Sequence, residues 1–132
     1  MNDSTMRGVL LLFGAAHLAL GAFQAIDPSA FFDGIGGFGA ENEHYIRDTS
    51  TFPLAIGITG LLAASRTSWR LPVLTLSALL YAFHAINHAF DINESNEDWV
   101  GVFDVASLAL GALLITWLAR QAQALEQDRL FR

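Results

Sequence analysis

Four long stretches of the chain carry almost no charge, and they constrain the fold more than any other feature. Gly8–Ile26, Thr49–Ser65, Leu71–Phe90 and Trp99–Ala119 run for 19, 17, 20 and 21 residues, and Asp104 is the only acid or arginine inside them. A helix needs roughly 20 apolar residues to cross a bilayer core of about 30 Å. Three stretches meet that length and the second is marginal. A water-soluble four-helix assembly would need a polar outer face on every helix, and these segments have almost none. Composition agrees: 15% of the residues are charged, mean hydropathy is +0.41, and an ordinary soluble domain has about 25% charged residues. The expected fold is all-α, a single domain over residues 1–132 built as a four-transmembrane-helix bundle. Its helices are expected at about 8–26, 49–65, 71–90 and 99–119.

The charges orient the expected bundle. The chain has no lysine, and Arg7, Arg66, Arg70, Arg120, Arg129 and Arg132 fall before the first helix, between the second and third, or after the fourth. The positive-inside bias then places both termini in the cytoplasm and the protein in the plasma (inner) membrane. The two loops on the other side are acidic, with Asp27, Asp33, Glu41, Glu43 and Asp48 in one and Asp91, Glu94, Glu97 and Asp98 in the other. With a net charge of −6 and no basic surface, nucleic acid is excluded as a partner. The first apolar run is longer than the usual signal-peptide core of about 7–15 residues and no A-x-A site follows it, so it reads as an uncleaved helix. The absence of cysteine excludes disulfides, thiolate metal sites and thiol redox chemistry.

The connections are expected to be short except one. "RTSWR" (66–70) reads as a tight cytoplasmic link with Pro72 in the first turn of the third helix. "DINESNED" (91–98) reads as a polar turn in which Ser95–Asp98 cap the fourth helix. Residues 27–48 form a long outer loop, with Phe31, Phe32 and Phe38 expected at the membrane interface and Pro53 near the start of the second helix. The tail "RQAQALEQDRLFR" reads as an extension of the fourth helix. "GIGGFG" (34–39) satisfies G-x-G-x-x-G, but dinucleotide binding needs a preceding strand and a following helix on the pyrophosphate. An acidic loop after a membrane helix supplies neither, so nucleotide is excluded and the glycines read as a tight fold of the loop against the helices.

Ionisable groups inside apolar helices cost about 2.5–3.5 kcal/mol on insertion scales, so each is a functional hypothesis. On the third helix Ser77, Tyr81, His84, His88 and Asp91 step by four, three, four and three residues, which aligns one face. His17 lies mid-membrane on the first helix, with Gly21 and Gln24 continuing its stripe, and Asp104 lies below the outer surface on the fourth. Glu43, His44, Arg47 and Asp48 cluster just ahead of the second helix. One outward-opening polar pocket is expected to collect these groups.

The block Asn42, Glu43, His44, Arg47 and Asp48, followed by His84 and His88 four residues apart, resembles a group of small four-helix membrane proteins of actinobacteria. These are mostly uncharacterised and loosely related to the DoxX-like superfamily. The resemblance covers most of the chain and departs at "TSTFPL", where such proteins are richer in Gly, Ala and Asn. It implies a four-helix membrane fold and brings no activity with it.

Three readings of the pocket follow. In the first, the protein is a structural or accessory subunit: polar groups only fasten helices together, and small-residue faces such as "GITGLLAAS" dock a membrane-protein partner or a second copy. In the second, His84, His88 and His44 or Asp91 hold zinc or iron, with Asp48 or Asp104 orienting an imidazole. A bis-histidine haem between His17 and His84 or His88 is the variant of this reading. In the third, His84 or His88 acts as a base beside Asp104 or Glu43 on a lipid-like substrate. No nucleophile motif narrows a reaction, and the balance leans away from an enzyme. Membrane lipids are the expected surroundings in every case.

Overall fold

N-caps, rather than the edges of the apolar runs, set where the helices begin. In a computed structural model describing residues 1–131, the chain forms α1 (Asp3–Ile26), α2 (Pro28–Gly34), α3 (Glu43–Ser65), α4 (Thr67–Phe90) and α5 (Asp98–Leu130). Asn2, Asp27 and Asn42 each accept a hydrogen bond from the backbone N–H three residues on, at 2.8, 3.1 and 3.1 Å, satisfying donors that the first helical turn leaves free. Asn42 starts α3 well before Thr49, so Pro53 lies inside that helix and not near its start. Pro72 is likewise inside α4, because the link from α3 is Arg66 alone. The expected outer loop contains a helix, α2, whose N-cap Asp27 also ends α1. The tail continues α5 as far as Leu130.

The expected count of four helices thus becomes five, one of them short. By length and composition, α1, α4 and α5 are each able to cross a bilayer, and α3 falls short. Hydroxyls lower its hydropathy. Thr49, Ser50, Thr51, Thr59 and Ser65 all donate to carbonyls three or four residues back in the same helix.

Packing is by pairs: α3 returns along α1, α5 returns along α4, and α3 touches α4 more lightly. Small residues bring α1 and α3 together. A Cβ on Gly14 would stand 2.8 Å from the Gly57 carbonyl oxygen, and one on Gly57 would stand 2.8 Å from the Leu18 backbone nitrogen. Gly57, Gly60, Ala63 and Ala64 of "GITGLLAAS" are therefore buried inside the molecule, while Ile58 and Ser65 of the same stretch stay exposed.

The main buried cluster lies toward one end, with Ile46, Ile56, Ala85 and Val100 buried separately from it. Met6 and Leu10 of α1, Ala63 and Ala64 of α3, Val73 and Leu74 of α4, and Ile115, Leu118, Ala119 and Ala122 of α5 form it. Arg70 closes that end: its Nε donates to the Ala63 carbonyl at 3.2 Å, its Nη2 to that of Ala64 at 3.4 Å, and its Nη1 to Asp3 at 2.7 Å. Arg129 also reaches Asp3, at 3.1 Å. These contacts put the start of α1, the α3–α4 link and the tail of α5 at one end of the molecule. At the opposite end the two connections meet: the Asn96 N–H donates to the Gly37 carbonyl at 2.8 Å, and that of Gly39 to the Glu94 carbonyl at 3.4 Å. Gly39 has φ +65°, a left-handed conformation that glycine adopts without penalty. The glycine loop, expected to fold against the helices, pairs instead with the connection that follows α4.

Candidate functional site

Away from the core the helices separate, and the space between them is a cavity of about 840 Å³. α2 and the loop after it contribute Phe31, Phe32 and Phe38 to its wall, so these aromatics cover the cavity and are not simply interface anchors. α1 contributes His17 and Gln24, α3 Tyr45, Thr49 and Phe52, α4 Tyr81, His84, His88 and Asp91, and α5 Phe103, Asp104 and Ser107. The lining is mostly apolar, with its histidines and carboxylates on α1, on α4 and its C-cap, and on α5.

His17, only 7% exposed, joins two helices. Its Nδ1 lies 2.8 Å from the Phe13 carbonyl and its Nε2 lies 2.9 Å from the Tyr81 hydroxyl. A carbonyl only accepts, so Nδ1 carries the proton; in the neutral ring the Tyr81 O–H then donates to Nε2. Gly111 makes room for the tyrosine, since a Cβ there would stand 2.6 Å from the Tyr81 ring. Both nitrogens of His17 are engaged, which leaves none to ligate a haem iron.

His84 and His88 stack at 4.7 Å between ring centroids, inclined by 13°, with their Nε2 atoms 2.8 Å apart. One of those nitrogens donates and the other accepts. The remaining nitrogen of His88, Nδ1, is buried without a hydrogen-bond partner and lies 3.7 Å from the Asp104 carboxylate. The edge of Phe38 packs against the same imidazole at 4.5 Å. Asp104 and His84 thus face opposite nitrogens of His88 and do not converge on one point. Among the described residues no group of three His, Asp or Glu side chains is placed to hold a metal ion.

The expected metal set is corrected on a second count. His44 is 87% exposed and pairs with Asp48 at 3.4 Å, and Arg47 pairs with Glu43 at 2.8 Å. These are i, i+4 pairs along the first turns of α3. The cavity receives a different face of that helix, the one carrying Asn42, Tyr45, Ile46 and Thr49. His44, Glu43, Arg47 and Asp48 therefore lie outside the cavity, and the four histidines form no single cluster. Asp91, the C-cap of α4, does line the cavity. Sequence reasoning missed the aromatic cover and the place of Gly111. The signal for the first was present: Asp27-Pro28 is an N-cap followed by a helix-starting proline.

No family model, no curated protein and no solved structure matches this chain.

Proposed function

We propose that this chain is a four-span membrane protein of the plasma (inner) membrane that binds a lipophilic small molecule in the outer half of the bilayer. The observation that carries this reading is the division of the molecule into a packed end and an open end. Natural interiors are close-packed, yet the main buried cluster of this chain lies toward one end, and the other half, where only a few separate side chains are buried, holds a cavity of about 840 Å³. Pockets of about 300–1,000 Å³ with apolar walls and a few placed polar groups are the usual form of a small-molecule site.

Several features support the membrane setting. Leu12, Ile58, Leu76, Leu113 and Trp117 are exposed on the four long helices, as lipid-facing residues are. The Asp3–Arg70 contact brings the far end of α3 back beside the start of α1, which supports α3 as a fourth crossing with both termini on one side. Its hydroxyls are bonded within the helix, so they add less polarity than a hydropathy sum assigns them. Arg7, Arg66, Arg70, Arg120 and Arg129 gather at the terminal end and most acids at the other, which supports cytoplasmic termini. The α1–α3 contact takes up much of one of the small-residue faces on which an accessory-subunit reading would draw. A second reading, acid–base chemistry on the bound molecule, is favoured by the line from Asp104 through His88 to His84.

Binding is tested with a neutral environment-sensitive dye, N-phenyl-1-naphthylamine, added to the protein in mild detergent. Ser107→Trp fills the cavity from α5. The dye is expected to bind the native chain and to bind the variant at least tenfold more weakly, with thermal unfolding unchanged. Equal signals from both proteins would mean that the dye sits in the detergent, and the reading would fall.

A further inference from the structure

We infer that the cavity selects hydrophobic cations, with the Asp104 carboxylate as their counter-charge. This rests on the reading of the cavity as a binding site and adds the chemical class of its occupant. Among the described residues two carboxylates, Asp91 and Asp104, line the cavity, and no arginine does. The arginine nearest in sequence to the lining, Arg47, is outside and tied to Glu43. The other described arginines belong to the opposite half of the molecule.

Asp104 is the group that asks for a partner. Its side chain is 14% exposed, and its only ion-pair partner among the described residues is His88 at 3.7 Å, beyond the 2.7–3.2 Å of a hydrogen bond. No described side chain or backbone N–H donates to its carboxylate. His88 bonds to His84 through Nε2 and turns its unbonded Nδ1 toward Asp104 at 3.7 Å, and both nitrogens of His17 are engaged by Phe13 and Tyr81. A carboxylate in an apolar wall is costly unless a charge or donor meets it. An anionic ligand would face two carboxylates with no permanent cation among the described lining residues to offset them, and a neutral apolar ligand would leave Asp104 as it is. A cation resolves it.

The walls suit the same class. Phe31, Phe32, Phe38, Phe52, Phe83 and Phe103 surround the space, and aromatic faces attract cations within about 6 Å of the ring centroid. The connections at that end carry Asp27, Asp33, Glu41, Glu94, Glu97 and Asp98, a field that raises the local concentration of positive ligands. The fitting occupant is a bulky organic cation whose charge is wrapped in aromatic or aliphatic groups, such as a lipophilic amine or phosphonium.

The test uses two ions of one shape and opposite charge, tetraphenylphosphonium and tetraphenylborate, each added at one mildly alkaline pH to the native protein in mild detergent. Binding is read by displacement of the neutral dye and by equilibrium dialysis. Tetraphenylphosphonium is expected to displace the dye and to bind at least tenfold more tightly than to Asp104→Asn. Asp104→Glu is expected to stay within a few-fold of the native chain. Tetraphenylborate is expected to bind the cavity weakly and to gain, or lose nothing, in Asp104→Asn. If the borate displaces the dye as well as the phosphonium does, or if Asp104→Asn leaves phosphonium binding unchanged, the inference is overturned while the cavity reading stands. If the dye itself fails to bind, both fall. The displacement comparison needs no variant, so a misfolded Asp104→Asn protein does not shelter the inference.

Discussion

Arg70 is 4% exposed, yet it carries a full charge. Its fork spans the junction of α3 and α4, giving the Ala63 and Ala64 carbonyls the partners that a helix C-terminus lacks, and it holds Asp3 with the remaining nitrogen. Hydrogen bonds to charged groups contribute about 1.5–3 kcal/mol each at most, and leaving buried partners unsatisfied carries a similar cost. Arg70→Ala is therefore expected to lower unfolding stability by roughly 2–4 kcal/mol. Arg70→Lys should recover only part, because one ammonium does not reproduce a planar fork. Asp3 is half exposed, so Asp3→Asn should cost under about 1 kcal/mol. Denaturant titration in mild detergent checks the order, and an Asp3→Asn loss as large as that of Arg70→Ala would refute it. The sequence placed Arg70 in a short link. That it turns inward was not legible, because the α3 carbonyls it meets are fixed only when the helices turn back on each other.

At the scale of elements, the close pairing of α1 with α3 sets the shape of the cavity, since α1 supplies His17 and α3 supplies the facing wall. Backbone atoms occupy the space beside Gly57, so Gly57→Ala should be destabilising by about 1–3 kcal/mol through overpacking. Gly8 lies on the same pair of helices but has open space around it, so Gly8→Ala should be neutral or stabilising by up to about 1 kcal/mol from helix propensity. Thermal unfolding of the two variants separates a contact effect from a glycine effect: the same sign in both would count against the close approach. The step pattern from Ser77 to Asp91 correctly aligned one face of α4. It did not reveal that Tyr81 serves His17, because that depends on which neighbouring helix lies at that level, whereas the His84–His88 contact is local to α4.

For the whole molecule, the arrangement of ends leads to a topology prediction. The chain contains no cysteine, so single introduced cysteines report sidedness without background. Ser4→Cys, Ser68→Cys and Gln127→Cys are expected to react with an impermeant thiol reagent from one side of a sealed membrane, and Glu41→Cys and Asn93→Cys from the other. Ser68 is the deciding position: labelling from the side opposite to Ser4 would mean that α3 does not cross.

The sequence by itself determined the helical class, the long apolar segments, the segregation of arginines to one end and of most acids to the other, and the candidates Tyr81, His84, His88, Asp91 and Asp104. These follow from local composition and helical periodicity, which need no knowledge of neighbours. It also offered His44, Glu43, Arg47 and Asp48 as members of the same site, and only tertiary structure removed them. Helix phase decided it. Once Asn42 caps α3, the residues at 42, 45, 46 and 49 line the cavity, and those at 43, 44, 47 and 48 do not. The cavity is likewise a tertiary fact. Its walls come from α1, α2 with the loop after it, α3, α4 and α5, so no single segment carries it.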